Sequence, residues 1–488
     1  MRTLPRTTHP ILRFPRSHAS VLALVALAAG CAPRASDPYD QSRMDLKPRP
    51  ASVRDDRPHT GPYYAGPALS IVPALARIGA DPVKTIQLDV VNTVIDLAPG
   101  VRFSAWSFGG HVPGPVVHVR VGDRVKFSMT NRSDQSMPGM TMSGVPMMHS
   151  IDFHAAMVSP QDKYRSIAPG QTIEFEFTPN YPGVFMYHCG TPPILEHIAS
   201  GMYGMVVVDP RGGFPTRVDR EYCIVQSEFY TRDEPHGTRA GAGVLQVLDT
   251  KTVRTKQSTY TVFNGRFNGM VDEPLLTKPG ERVRLYVLNV GPSNTSSFHV
   301  VGTLFDRVWI DGNPDNQFRG MQTVLLPSSG SAIVEFMVPE AGKYVMVDHH
   351  FANASQGAIG VLDASGGTPE GPLEHHNLAA SAEPSEPVAA AGKARFESVC
   401  YACHSIGQGP KVGPDLWKVA ERRPERWLRD WLHSPEHMLA TDDTAKALLR
   451  RSNGVPMPNQ NLTGDQIEEL IRYLRWAKDQ PAPRAAHE

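Results

Sequence analysis

Cysteine is scarce in this 488-residue chain: the five present are an odd number, which excludes a scaffold built on disulfides. Net charge is lacking too. Its 49 basic and 49 acidic side chains cancel, so no excess of positive charge points to nucleic acid. No apolar run is long enough to cross a bilayer as a helix. What is present is 41% hydrophobic and 20% charged residues, enough to bury real cores and to exclude wholesale disorder. The length implies roughly three domains. With so few cysteines, each needs its own account.

The first belongs to a leader. Arg2, Arg6, Arg13 and Arg16 precede the apolar run 21–29, no acidic residue occurs before Asp37, and the run ends in Ala-Ala-Gly-Cys at Cys31. This pattern predicts a secretory signal over residues 1–30. Its end resembles a bacterial lipobox, which implies lipidation of Cys31 and a periplasmic protein anchored through lipid alone; Ala32 after the cysteine favours the outer membrane. Removing the leader takes four arginines and no acid, so the mature chain is negative by about four charges. Residues 31–67, rich in Pro, Arg, Asp and Ser, read as a flexible tether, and residues 364–390, rich in Pro, Ala and Glu, as a second linker.

Between the linkers, short alternating runs are punctuated by Pro-Gly and Gly-Asp pairs, the signature of strands and tight turns. The events repeat. Val121-Gly-Asp-Arg-Val-Lys-Phe-Ser-Met-Thr-Asn is paralleled by Lys278-Pro-Gly-Glu-Arg-Val-Arg-Leu-Tyr-Val-Leu-Asn, and Asn180-Tyr-Pro-Gly-Val-Phe-Met-Tyr-His-Cys by Glu340-Ala-Gly-Lys-Tyr-Val-Met-Val-Asp-His. Two tandem β-sandwiches are expected, at residues 68–210 and 211–363.

The chemistry concentrates in the first sandwich. In Met148-His-Ser-Ile-Asp-Phe-His, the odd offset between His149 and His154 sends them to opposite faces of an extended strand, whereas Asp152 and His154 share a face. His188 and Cys189, adjacent in sequence, diverge for the same reason. The inward set is His149 and Cys189, completed by His197 and Met202 through the spacing Cys-x7-His-x4-Met. Two imidazoles, a thiolate and a thioether suit a type 1 copper. The outward set, His154 and His188, is short of ligands, because a nitrogen-held copper or zinc usually takes three protein ligands and an open position. His299 and His349 in the second sandwich are available to complete it; the remaining cysteine there, Cys223, reads as a buried strand residue.

His149-Ser-Ile-Asp-Phe-His, Tyr187-His-Cys, Ser200-Gly-Met-Tyr-Gly, Ser296-Ser-Phe-His-Val-Val-Gly and Val347-Asp-His together resemble the copper-containing nitrite reductases, particularly their shorter-loop, lipoprotein-bearing branch, over residues 68–363. The resemblance implies Greek-key cupredoxin domains, a homotrimer, and a type 2 copper held by His154 and His188 of one chain and His349 of its neighbour. It also implies that Asp152 and His299 are the catalytic pair, with Val301 at the apolar position over the substrate pocket. The activity implied is dissimilatory reduction of nitrite to nitric oxide, as in denitrification. Its chemistry needs one electron and two protons, which a carboxyl and a non-ligating imidazole can relay. Five methionines, from Met137 to Met148, precede His149 and read as flexible packing or a docking surface, with transient Cu(I) capture as the alternative. The segment 157–168 and the stretch after His349 depart from the family pattern, and His350 competes with His349 as a ligand.

Beyond the second linker the pattern turns helical. Cys400, Cys403 and His404 form C-x-x-C-H, the c-type haem attachment signature. With Gly413-Pro-Asp-Leu, Met457-Pro and an amphipathic run 464–477, residues 391–480 resemble a class I cytochrome c. That implies Met457 as sixth ligand, with Met438 its rival. The fold class expected is therefore mainly β, two cupredoxin sandwiches followed by a small all-α haem domain. An external donor (cytochrome c, cupredoxin or quinol-linked) would feed haem c, type 1 copper, type 2 copper and nitrite in turn. Two other readings remain. A multicopper oxidase needs many His-x-His pairs, and none occurs; a non-catalytic copper and haem electron-transfer lipoprotein has no need of Asp152 or His299.

Overall fold

The computed structural model describes residues 49–55, 77–134, 146–234, 244–366 and 386–480, with short gaps at 402–403, 408, 410–412, 452–455 and 461. Cys31, Cys403 and most of the methionine-rich stretch, the tether and the linker lie outside the described residues.

The first sandwich is built from β1 (Val83–Ala98), β2 (Val101–Phe108), β3 (Val117–Arg120), β4 (Arg124–Asn131), β5 (Asp152–Phe153), β6 (Gln171–Phe177), β7 (Gly183–His188) and β8 (Tyr203–Asp209). The second uses β9 (Arg220–Phe229), β10 (Tyr260–Phe263), β11 (Leu275–Leu276), β12 (Arg282–Gly291), β13 (Ser296–Val300), β14 (Ser331–Met337), β15 (Lys343–Asp348) and β16 (Ile359–Asp363). The core strand order repeats, with further strands at the sheet edges. One sheet runs β6-β4-β1-β2 and recurs as β14-β12-β9-β10; the other runs β3-β8-β7-β5 and recurs as β11-β16-β15-β13. The parallel pairs recur as well, β1 with β4 and β9 with β12, β3 with β8 and β11 with β16. Gly122 and Gly280, which open the turns into β4 and β12, both sit at φ +83°, a backbone conformation that side chains disfavour. The sequence repeat is thus a structural one.

Alternation supplies the cores. Along β4, Val125 and Phe127 face inward between exposed or half-exposed neighbours, Met129 continues the same buried face, and Phe175 and Phe177 of β6 meet them with Phe153 and Tyr187. Each ring so buried contributes about 1.5–3 kcal/mol relative to exposure. In the second sandwich Phe263, Phe298, Phe305 and Phe336 form the corresponding cluster. The two sandwiches are stitched together. A hairpin of Thr231–Asp233 and Val244–Leu248 leaves the second and extends the first sandwich's larger sheet beside β2.

The C-terminal region is helical. Helix Pro387–Arg395 runs into a π-helical turn, Phe396–Cys400, and crosses helix Gly464–Lys478. At the crossing a Cβ on Gly392 would lie 1.9 Å from the Glu469 carbonyl oxygen, so only glycine permits that approach. Thr463 and Gln466 close the start of the last helix with a reciprocal capping box. Among the described residues no helix is long and apolar enough to cross a membrane.

Candidate metal centres

Strand β7 ends at His188, and there its neighbours part. The extended strand expected over 148–154 is regular only at Asp152–Phe153; His149 instead forms an isolated bridge with Ile167, because the chain must turn inward to bury the imidazole. The expected divergence holds. His149, Cys189 and His197 form one buried group, and Asp152, His154 and His188 another at the surface.

In the buried group, Nδ1 of His197 lies 3.2 Å and Nδ1 of His149 3.9 Å from Cys189 Sγ. His197 stands not on an open loop but on the short helix Ile194–Ala199, whose packing fixes its ring. Met202 is fully buried in the same cluster as Cys189, and its carbonyl accepts from Cys189 N at 3.1 Å. Burial holds His149 down to about 3, helped by repulsion from His197, and holds His197 down to about 4, so both rings are neutral donors. Burial pushes the Cys189 thiol up, opposed by N–H groups of Ser150 and Thr191 that point at its sulfur. His149 Nε2 is buried without a partner among the described residues. Two convergent imidazole nitrogens and a sulfur, all three buried, fit a soft-to-borderline cation such as copper. Sequence spacing missed one member of this centre. Trp106 sets its ring edge-on against His197 at 5.0 Å and His149 at 5.9 Å.

In the surface group, Nε2 of His154 and Nε2 of His188 are 3.1 Å apart, and Asp152 Oδ2 lies 3.8 Å from His188 Nε2. His188 Nδ1 donates to the Cys189 carbonyl at 3.0 Å, which directs Nε2 outward. Two imidazole nitrogens facing one another at hydrogen-bond distance, with a carboxylate beside them, form a ligand set for a cation. Burial, then the His188 ring, lowers the His154 pKa, while Asp152 raises it.

His299 and His349 are not members of that group. Their rings lie together on the second sandwich, 5.0 Å apart and inclined at 30°. His299 Nδ1 donates to the Gln322 carbonyl, leaving Nε2 exposed. Around them Val301, Leu325 and Phe351 are 47, 62 and 67% exposed, an unusual density of bare apolar side chains. His350, the alternative ligand, opens the helix Phe351–Ser355, and its N–H is tied to Asp348.

In the helical region, His404 Nδ1 donates to the Pro414 carbonyl at 2.8 Å, which would direct Nε2 toward a haem iron. A Cβ on Gly413 would lie 2.4 Å from the ring, so glycine is required there. Cys400 ends the π-helical turn four residues away; its companion Cys403 lies outside the described residues. Met457 packs against the core of this region and its sulfur accepts from Trp431 Nε1 at 3.0 Å, whereas the rival Met438 is buried in helix Pro435–Thr441, apart from that core.

Residues 89–213 match the multicopper oxidase family and residues 389–478 the cytochrome c family. The chain is 38% identical over 284 residues to the copper-containing nitrite reductase of Neisseria meningitidis serogroup B, covering 58% of this chain and 68% of that one. It is 29% identical over 310 residues to the copper-containing nitrite reductase of Pseudomonas chlororaphis, covering 59% and 81%. Among solved structures, the copper nitrite reductase of Nitrosomonas europaea superposes with a TM-score of 0.51 at 34% identity, over 58% of this chain and 94% of that one. The copper-containing nitrite reductase of Thermus scotoductus gives 0.50 at 33%, over 58% and 62%.

Proposed function

Because the chain belongs to the copper-containing nitrite reductases and carries a cytochrome c domain at its C-terminal end, we propose that it reduces nitrite to nitric oxide with electrons received through its own haem. The observation that carries this reading is the adjacency of the two donor sets: His188 and Cys189 are consecutive, yet one faces the surface group and the other the buried group. A single peptide unit joins the centre that takes the electron to the centre that meets the substrate. The reaction combines nitrite with one electron and two protons to give nitric oxide and water.

His149, Cys189, His197 and Met202 would hold type 1 copper, His154, His188 and His349 type 2 copper, and Cys400, Cys403, His404 and Met457 haem c. Bound, the coppers and haem supply one-electron transfer and a positive site that orients the anion. The rest falls to the chain. Asp152, partly exposed and beside His188, is placed to hydrogen-bond an oxygen of nitrite and to pass a proton to it. His299, its Nδ1 fixed on Gln322, offers Nε2 for the second proton. Val301, one residue past the end of β13 and 47% exposed, would restrict the space above the site. Trp106 shields the buried imidazoles.

Among the described residues of one chain, the surface group has no third imidazole. The pairing of His349 with His299 amid exposed Val301, Leu325 and Phe351 supports a homotrimer in which a neighbouring chain covers this face and brings His349 to His154 and His188. The leader and Cys31 support a periplasmic lipoprotein, with the outer membrane favoured, and the negative mature charge allows a cationic cytochrome or cupredoxin as donor. The functional test compares nitric oxide formation by the copper- and haem-loaded chain with that of Asp152→Asn and His299→Ala. Each substitution should lower turnover by about 10²–10⁴-fold, with type 1 absorption intact. Unchanged rates would remove both residues from the mechanism, and absence of turnover in the unaltered chain with both coppers bound would remove the function.

A further inference from the structure

The repeated topology puts a specific residue of the second sandwich at the place of Cys189. In the first sandwich Asp152 pairs with His188; in the second His299 pairs with Val347. Cys189 therefore corresponds to Asp348, and three hydrogen bonds repeat around them. Ser150 N points at Cys189 Sγ (3.4 Å), and Ser297 N donates to Asp348 Oδ1 (2.8 Å). Cys189 N donates to the Met202 carbonyl and Asp348 N to the Ala358 carbonyl, each at 3.1 Å. Met202 N in turn donates to the His197 carbonyl at 3.2 Å and Ala358 N to that of Asn353 at 3.0 Å. The four candidate type 1 ligands, His149, Cys189, His197 and Met202, thus map onto Ser296, Asp348, Asn353 and Ala358. All four of the latter are buried.

The vacated ligand positions hold a closed hydrogen-bond cluster. Asn353 Nδ2 donates to Asp348 Oδ2 at 2.8 Å, as His197 Nδ1 faces Cys189 Sγ. Gln226 Nε2 donates to the same oxygen at 2.8 Å while its Oε1 accepts from Ser296 Oγ at 2.7 Å. His350 N reaches Oδ1 at 3.0 Å. One fully buried carboxylate so gathers four N–H donors from β9, β13, the end of β15 and the following helix. Two of them flank the histidines of interest: Ser297 lies two residues before His299, and His350 directly follows His349.

We infer that Asp348, held by Gln226 and Asn353, is the positioning residue for His299 and His349. A hydrogen-bonded clamp in the second sandwich does the task that the candidate metal ligands do in the first. His299 and His349 are partly exposed and stand against one another, with Phe351 on the open side of His349. Their orientation is set from beneath, by the backbone that Asp348 ties together. The inference rests on the reading of His349 as a ligand of type 2 copper, and it adds residues that the ligand pattern does not contain.

The test uses the full haem-loaded chain titrated with Cu(II), reading type 1 and type 2 copper separately by optical absorption and electron paramagnetic resonance. Asp348→Asn turns one acceptor into a donor facing donors; it should weaken type 2 retention by about tenfold or more while type 1 and haem absorption stay unchanged. Asn353→Ala removes a single donor and should act in the same direction more mildly. If Asp348→Asn does not fold, Asn353→Ala and Gln226→Ala decide. Full type 2 occupancy with an unaltered spectrum in the folded variants would overturn the inference and leave the nitrite reading standing. An unaltered chain that binds type 2 copper yet does not turn over nitrite would overturn the reading, while the copper titration still judges the clamp. An unaltered chain with no type 2 signal overturns both.

Discussion

Neutral, buried imidazoles are costly to keep in acid. The unfolded chain protonates His149 and His197 near 6.5, whereas burial holds them at about 3 and about 4 in the folded one. Between those values the unfolded state binds more protons, so stability of the metal-free chain is fully present above about pH 6.5 and is lost as pH falls, by ~1.4 kcal/mol per pH unit for each histidine. Urea midpoints of metal-free protein should hold between about pH 7.5 and about pH 6.5 and fall from there toward about pH 5; a profile flat throughout would contradict the burial. Gly413→Ala makes a second residue-scale test. Its Cβ would displace the His404 ring from Pro414, so the haem absorption spectrum should lose its low-spin features even though the attachment cysteines remain. The candidate ligands were legible because chemistry is written in spacing: Cys-x7-His-x4-Met and Cys-x-x-Cys-His need no fold to be seen. Trp106 and Asp348 were not, since neither is a metal ligand and their roles come from packing. Asp348 had one sequence signal, its place at the end of the repeat that aligns β15 with β7.

At the level of elements, the glycine at the helix crossing and the capping residue differ in what they hold. Gly392→Ala forces a Cβ into the Glu469 carbonyl and should lower haem-domain stability by about 1–3 kcal/mol. Thr463→Ala removes one capping interaction, and the expected loss is about 1 kcal/mol. Thermal melts followed at the haem band rank the two; a smaller effect of Gly392→Ala would place the contact elsewhere. Strand elements were readable from alternation, as in Arg124–Asn131, and the last helix from its apolar face. The hairpin Thr231–Asp233 and Val244–Leu248 was not, because a strand's partner sheet depends on long-range pairing that local periodicity does not encode. The π-helical turn before Cys400 and the helix carrying His197 were missed for a related reason: both are short, so tertiary contacts outweigh their propensities.

The proposed function makes the molecule a covalent series of redox units in one chain, with a second copy supplying His349 to its surface group. Mixing chains makes that testable. Trimers assembled from equal amounts of His154→Ala and His349→Ala chains should recover about one quarter of type 2 sites, those where an intact His154 meets an intact neighbouring His349. Neither variant alone should hold that copper. No recovery in verified mixed trimers would mean the ligands come from one chain. Nitrite reduction is measured most directly by supplying nitrite and a reduced donor to the copper- and haem-loaded full chain without oxygen and counting nitric oxide against nitrite consumed. One nitric oxide per nitrite is expected, with the haem oxidised as turnover proceeds. Nitrite left unconsumed while both coppers are bound and the haem stays reduced would contradict that function.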